Sequence, residues 1–238
     1  IGYLALLARP SADPEQANLV EWYPTGRLLL WTIVLSALLT IVGVLTLGNN
    51  YDAFVASFEQ MLNKLIAFEP ELFSGLIGSD PTGSITSIAH FLALIAAPLS
   101  AALSTVISVI LLYGAGRIVN MSGLLPRPWP DLAATQLPKH ALGLLLLSLL
   151  MTVIASDFFG LFGRIGLASL LTGYCLQGLA VLHFLTRPIK SRRMMLVLIY
   201  SVFLFLPGWP ILGFAALGIA DFFLDFRTRF AVSSPSTL

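Results

Sequence analysis

An all-α, polytopic membrane bundle is the fold this sequence predicts, and three observations carry the prediction. Of the 238 residues, 57% are hydrophobic and only 11% are charged, where soluble domains carry about 25% charge. The apolar residues gather into blocks close to the roughly 20 residues a helix needs to cross a bilayer's hydrocarbon. Lysine and arginine collect in alternate connecting segments, as they do in proteins threaded repeatedly through a membrane. Mean hydropathy is +0.90. Thirteen basic and twelve acidic residues leave a net charge of +1, so nothing draws a polyanion and no nucleic-acid partner is expected.

Taken in order, Ile1 to Ala8 is apolar as far as Arg9 and starts without methionine. It reads as the closing turns of a span that begins upstream, so N-terminal spans are expected to be lacking here. No basic stretch with a small-residue cleavage site marks a signal peptide. Leu28 to Leu47 is the first full span, and Ile85 to Tyr113 the second, tilted or kinked because of its length and of Pro98 inside it. His140 to Ser156 and Ile165 to Leu185 are the third and fourth. The last block, 194–224, is interrupted by Leu-Pro-Gly-Trp-Pro at 206–210, which no helix interior accommodates. It is read as a broken hairpin, 194–206 and 210–224. About six membrane helices in a single membrane domain, 1–238, result.

The basic residues choose between a hairpin and a single span. Arg9 and Arg27 precede the first span; Arg117, Arg127 and Lys139 lie between the second and third; Arg187, Lys190, Arg192 and Arg193 between the fourth and fifth. The alternate segments hold only Lys64 and Arg164. The three basic segments are therefore placed in the cytoplasm, and a hairpin returns Arg227 and Arg229 to the same side, giving a cytoplasmic C-terminus. Between the first two spans, Tyr51 to Phe68 sets Phe54, Val55, Phe58, Leu62 and Leu65 at helical steps opposite Asp52, Glu59, Asn63 and Lys64. That is an amphipathic helix, whose polar face is too poor in lysine and arginine for an anionic-lipid anchor. It either rests on the protein's own spans, the preferred reading, or serves as a lid or a docking helix. The following Gly78 to Ser84 reads as a loop.

Catalytic patterns are not found. The chain has no GxxxxGK[ST], HExxH or GxSxG, and His90, His140 and His183 are too scattered for a metal set. Gly114-Ala115-Gly116-Arg117 starts like a dinucleotide fingerprint without its third glycine or a preceding strand. No enzyme, cofactor or metal is expected. Cys175, the single cysteine, lies in an apolar stretch and is assigned to packing.

The remaining candidates each have a plainer alternative. His90, near the start of the second span, bonds either to a neighbouring helix or to a ligand. Tyr174 and Gln177, in the middle of the fourth span, must find polar partners at bilayer depth; those are a small molecule or other helices, the second being preferred. Ser100, Ser104 and Ser108 recur every four residues beside Ala97 and Ala101, a small-residue stripe suited to close helix packing or to a partner. Asp157 and Arg164 flank an aromatic turn, as an ion pair or simply exposed. Asp221, Asp225 and Arg229 fall four apart on one face of the last helix, with Arg227 nearby, and such pairs stabilise a helix by about 0.2–0.5 kcal/mol. Asp221 lies closest to the lipid and is expected to face a partner or water. Trp22, Tyr23 and Arg27 form the aromatic and cationic collar of the first span, with Pro24 and Gly26 shaping the entry, and Trp129 anchors the next loop.

The segments GYLALLAR, VEWYPTGRLLLW and LGIADFFLDFRTRF resemble the YybS-like family of uncharacterised polytopic bacterial membrane proteins, in its alphaproteobacterial form. The likeness runs along the whole chain, which would correspond to the C-terminal two-thirds or more of a member. It carries over no catalytic residues. The family is distantly similar to the substrate-binding S components of energy-coupling-factor transporters, helical bundles that hold a vitamin-like molecule near the outer surface. The resemblance implies a multi-pass protein of the bacterial inner membrane that binds or takes up a small molecule; on that reading the polar candidates found from the residues, His90, Tyr174 and Gln177, are taken as ligand contacts and 51–68 as a lid. The alternative is a membrane scaffold or assembly protein that binds other membrane proteins.

Overall fold

The computed structural model describes residues 2–10, 20–71, 73, 81–205, 208–227 and 229. Its elements are α1 (Gly2–Ala5), β1 (Ala8–Pro10), β2 (Val20–Trp22), α2 (Thr25–Leu47), α3 (Tyr51–Phe68), α4 (Pro81–Met121), a 3₁₀ turn (Leu132–Ala134), α5 (His140–Ile154), α6 (Asp157–Leu185), α7 (Arg192–Phe205) and α8 (Trp209–Leu224). Among the described residues the fold is all-helical apart from one short strand pair. Helices α2, α4 and α6 are long and apolar enough to cross a membrane, and α5 and α8 are shorter apolar helices. The protein is a multi-pass helical membrane protein.

The amphipathic helix occupies 51–68, as the periodicity predicts. Asn50 starts it, its side-chain oxygen accepting from the Ala53 amide at 2.8 Å, which satisfies one of the donors a helix leaves open at its N-terminus. The break in the last block is also present. Gly208 precedes α8 at a φ of 97°, and Pro210 lies in its first turn, where a missing N–H costs nothing; Leu206 and Pro207 fall outside the described residues.

Three features differ from the sequence reading. The apolar opening contains one helical turn and then a strand, with Ala8 opposite Trp22, Arg9 opposite Glu21 and Pro10 opposite Val20. The aromatic segment 158–163, read as a turn before a span at Ile165, is helical and belongs to α6, which starts at Asp157, whereas α4 is the long second span expected, 41 residues with Pro98 inside it. The last helix does not carry Asp221, Asp225 and Arg229 along one face. Asp225 takes the left-handed conformation (φ 48°, ψ 52°), donates its N–H to the Asp221 carbonyl and ends α8. An aspartate tolerates that conformation better than most residues; Phe226, Arg227 and Arg229 beyond it are helical again, Arg229 donating its N–H to the Asp225 carbonyl at 3.3 Å, on a path offset from α8 by the left-handed residue.

Packing divides the chain into two compact units. One comprises 35–104 and 146–169. Its core is Val44, Phe54, Val55, Leu62, Ala89, Ala93, Ala97, Ala101, Leu161 and Ile165. The four alanines recur every four residues along α4, and their small side chains let neighbouring helices come close. Phe54 and Phe58 meet edge to face, 5.2 Å between centroids. Helix α3 thus rests on the protein's own spans. The other unit comprises 1–34, 105–145 and 170–238 and contains the site below.

Candidate functional site

The site starts from an amide in a membrane helix. Gln177 lies two turns from the end of α6 and is 1% exposed, so each polar atom it carries needs a protein partner. All are met. Its Oε1 accepts from the Leu137 amide at 2.8 Å, and its Nε2 donates to the Gly218 carbonyl at 2.9 Å and more weakly to Asp221 Oδ2 at 3.4 Å. One side chain therefore ties α6 to α8 and to the segment entering α5.

Two glycines permit this. A Cβ on Gly178 would lie 1.9 Å from the Phe214 carbonyl oxygen, and one on Gly218 would lie 2.1 Å from that of Tyr174. Helices α6 and α8 touch backbone to backbone, close enough for the Gln177 amide to span between them. Gly26, at the start of α2, plays the same part for the loop, since a Cβ there would meet the Gln136 carbonyl oxygen at 1.6 Å.

Asp221 is the charged centre, with no exposed surface. Its Oδ2 accepts from Gln136 Nε2 at 3.3 Å and lies 3.4 Å from Arg227 Nε. The latter geometry is an ion contact rather than a hydrogen bond. Arg227, 9% exposed, also donates from Nη2 to the Thr135 carbonyl at 2.8 Å. Burial pulls the Arg227 guanidinium below its ordinary value, while the nearby Asp221 charge works in the opposite direction. The group nonetheless stays cationic, because a guanidinium starts so far above neutrality. Capacity is left over: Asp221 Oδ1 and Arg227 Nη1 are buried with no hydrogen-bond partner among the described residues. An acceptor and a donor thus stand unpaired within one buried ion pair. Groups of this kind are costly unless something completes them.

The neighbouring loop is held by its own charges. Asp131 caps the 3₁₀ turn through the Ala133 amide and pairs with Arg187. The hydrogen bond from Arg187 holds the Asp131 carboxyl below the usual carboxylate range. Arg127 donates to the carbonyls of Ala5 and Tyr23, each at 3.2 Å, tying the strand pair to the loop.

Of the sequence candidates, Tyr174 and Gln177 lie one turn apart in this unit, and Asp221 joins them. Tyr174 is 1% exposed and offers its backbone to Gly218. His90 belongs to the other unit, exposed, its ring 6.4 Å from that of Tyr51. Ser100 is exposed and Ser104 and Ser108 half-buried; the fully packed stripe is that of the alanines. Asp225 is the helix cap, and Arg229 is exposed. Tyr23 accepts from Trp31 Nε1 at 3.1 Å, Trp22 is half-buried in the strand pair and Arg27 is exposed. Trp129 packs edge to face on Tyr113, with Arg117 5.6 Å from its ring centre. Asp157 accepts from its neighbour Ser156. The members not found from sequence are Thr135 and Gln136, and Arg227 is placed by it near the acids without being identified as the partner of Asp221. The first two sit in a loop with no periodicity, and Arg227 reaches Asp221 across a spacing of six that a continuous helix does not bring together. No group of three metal-ligating side chains occurs among the described residues.

Residues 21–222 match the model of a family described as "Predicted membrane protein (DUF2232)". The chain belongs to that family. The match includes Gln136, Gln177 and Asp221 and stops before Arg227. No curated protein and no solved structure matches the chain.

Proposed function

We propose that this family member is a small-molecule binding or uptake component of the bacterial inner membrane, with basic loops and C-terminus on the cytoplasmic side, and that the Gln177–Asp221–Arg227 cluster holds the solute. One observation carries the reading: a wholly buried carboxylate and its guanidinium partner each keep an unpaired hydrogen-bonding atom. An ionisable pair at a membrane helix end is kept where something uses it. A solute with both a donor and an acceptor would complete the pair, entering past the exposed Gln136. The ligand region moves accordingly from His90 and α3, where the packing is apolar, to the loop that enters α5. The protein is not assigned a reaction of its own.

The experiment is native mass spectrometry of the full-length protein released gently from its own membrane. A retained small molecule, lost in Gln177→Ala and weakened in Gln136→Ala, supports the reading and identifies the solute. A bare chain carrying a stoichiometric protein partner would replace it with the scaffold. That alternative draws on α4, whose Leu99, Leu103, Ile107 and Ile110 are each more than half exposed along one face.

A further inference from the structure

We propose that the mouth of α7 is a binding site for an anionic phospholipid, its phosphate held by Lys190, Arg192 and Arg193 and its acyl chains lying along the apolar face of the helix below. The site is independent of the buried cluster around Gln177.

Charge comes first. Between Asp157 and Asp221 the sequence contains no aspartate or glutamate, yet Arg187, Lys190, Arg192 and Arg193 fall within seven positions of one another. Arg187 is occupied by Asp131. Among the described residues, no carboxylate stands within ion-pair distance of the other three. Lys190 and Arg193 are exposed, Arg192 is half-buried, and the Arg192 Nε is shielded from solvent without a hydrogen-bond partner. The positive charge of this corner is therefore uncompensated from within the described chain.

Shape and polarity then name the ligand. Lys190, Ser191, Arg192 and Arg193 border an open surface recess together with Met194 and Leu196. One turn into α7 the surface becomes apolar, with Met194 78%, Val197 65% and Leu198 66% exposed. Guanidinium groups match phosphate oxygens in a fork geometry, and basic pockets beside membrane helices suit anionic headgroups. A free phosphate would use only the cations. A phospholipid would use the cations and the apolar strip directly beneath them, so the continuity of the two surfaces selects the lipid.

The test uses the full-length protein in phosphatidylcholine nanodiscs titrated with phosphatidylglycerol, with native mass spectrometry counting the lipids kept after release. Wild type is expected to retain phosphatidylglycerol in preference to phosphatidylcholine. Each cation at an anionic surface is worth about fivefold, so K190Q/R192Q/R193Q should weaken that preference by more than about tenfold. The single R193E, which leaves the half-buried Arg192 in place, should weaken it in the same direction, while R27Q/R117Q, which removes two other side chains of the basic segments, should weaken it far less than K190Q/R192Q does. Absence of any preference in wild type, or an equal loss in R27Q/R117Q, would overturn the site. Inorganic phosphate displacing the lipid at millimolar concentration would overturn its assignment to a phospholipid.

Discussion

In the unit around Ala89, Ala93, Ala97 and Ala101 the helices meet through methyl groups and aromatic edges, and its core is apolar apart from the buried hydroxyls of Ser36 and Ser169, with no buried charge among the described residues. In the unit around Gln177 they meet through bare backbone at Gly178 and Gly218, bridged by an amide, a carboxylate and a guanidinium. Helices α2, α4, α5 and α6 contribute to both. The same spans thus support two ways of holding a membrane bundle. Apolar packing in lipid gains little from water exclusion and relies on close van der Waals contact. Buried polar groups rely on every partner being present, and lose much when one is removed.

The largest test of this contrast removes half of the ion pair. Arg227→Ala strands a buried carboxylate and should cost about 3–5 kcal/mol, read as a lowered unfolding midpoint in detergent. Adding Asp221→Asn should recover part of it, because a neutral amide tolerates burial better than an unpaired charge. Strict additivity of the two changes would show that the residues do not act as a pair.

Next in size is the backbone contact. Gly218→Ala places a methyl group against the Tyr174 carbonyl, which cannot swing aside as a side chain would, and should cost about 1–3 kcal/mol. Gly213→Ala, where a Cβ meets nothing within 4 Å, is the comparison and should be neutral or slightly stabilising. Similar midpoints for the two variants would remove the case for backbone contact between α6 and α8.

In the apolar unit the expected effect is smaller and insensitive to its surroundings. Ile165 has no exposed surface, and Ile165→Val should cost about 0.5–1.5 kcal/mol, the same at pH 5 and pH 8. The smallest effect belongs to the exposed Asp131–Arg187 pair, worth at most about 1 kcal/mol. The folded Asp131 carboxyl is depressed, so its contribution is complete above the unfolded value of about 3.9 and disappears as pH falls through the lower folded value. Asp131→Asn should abolish that acid-side loss, measured as the difference between the two proteins' midpoints at pH 6 and pH 3.

Much of the helical layout was legible because the membrane imposes it. Apolar length marked the spans, the three-and-four spacing marked Tyr51 to Phe68, and two prolines with a glycine marked the break before Trp209. The strand pair was not legible, since three residues are too few to show an alternation, and Ala8 and Val20 read equally well as span ends. Within the site, Gln177 and Asp221 stood out as polar residues in apolar surroundings. Their partners did not, because Arg227 reaches Asp221 only after a left-handed turn at Asp225, and Gln136 and Thr135 arrive from a loop whose path depends on Gly26.

Helix α4 sets a length that the bilayer cannot absorb. Its 41 residues extend about 60 Å at 1.5 Å each, roughly twice the hydrocarbon thickness. Even at a tilt of about 40°, the steep end of what membrane helices show, some 26 residues would fill the apolar layer and about 15 would stand outside it. This helix is therefore also a post through the headgroup layers, which bring the bilayer to about 40–45 Å, and it carries Arg117 and Asn120 near its C-terminal end. Pro98 has no N–H to offer the carbonyl four residues before it, and it marks the place where a push on that post would be taken up as a bend within the membrane.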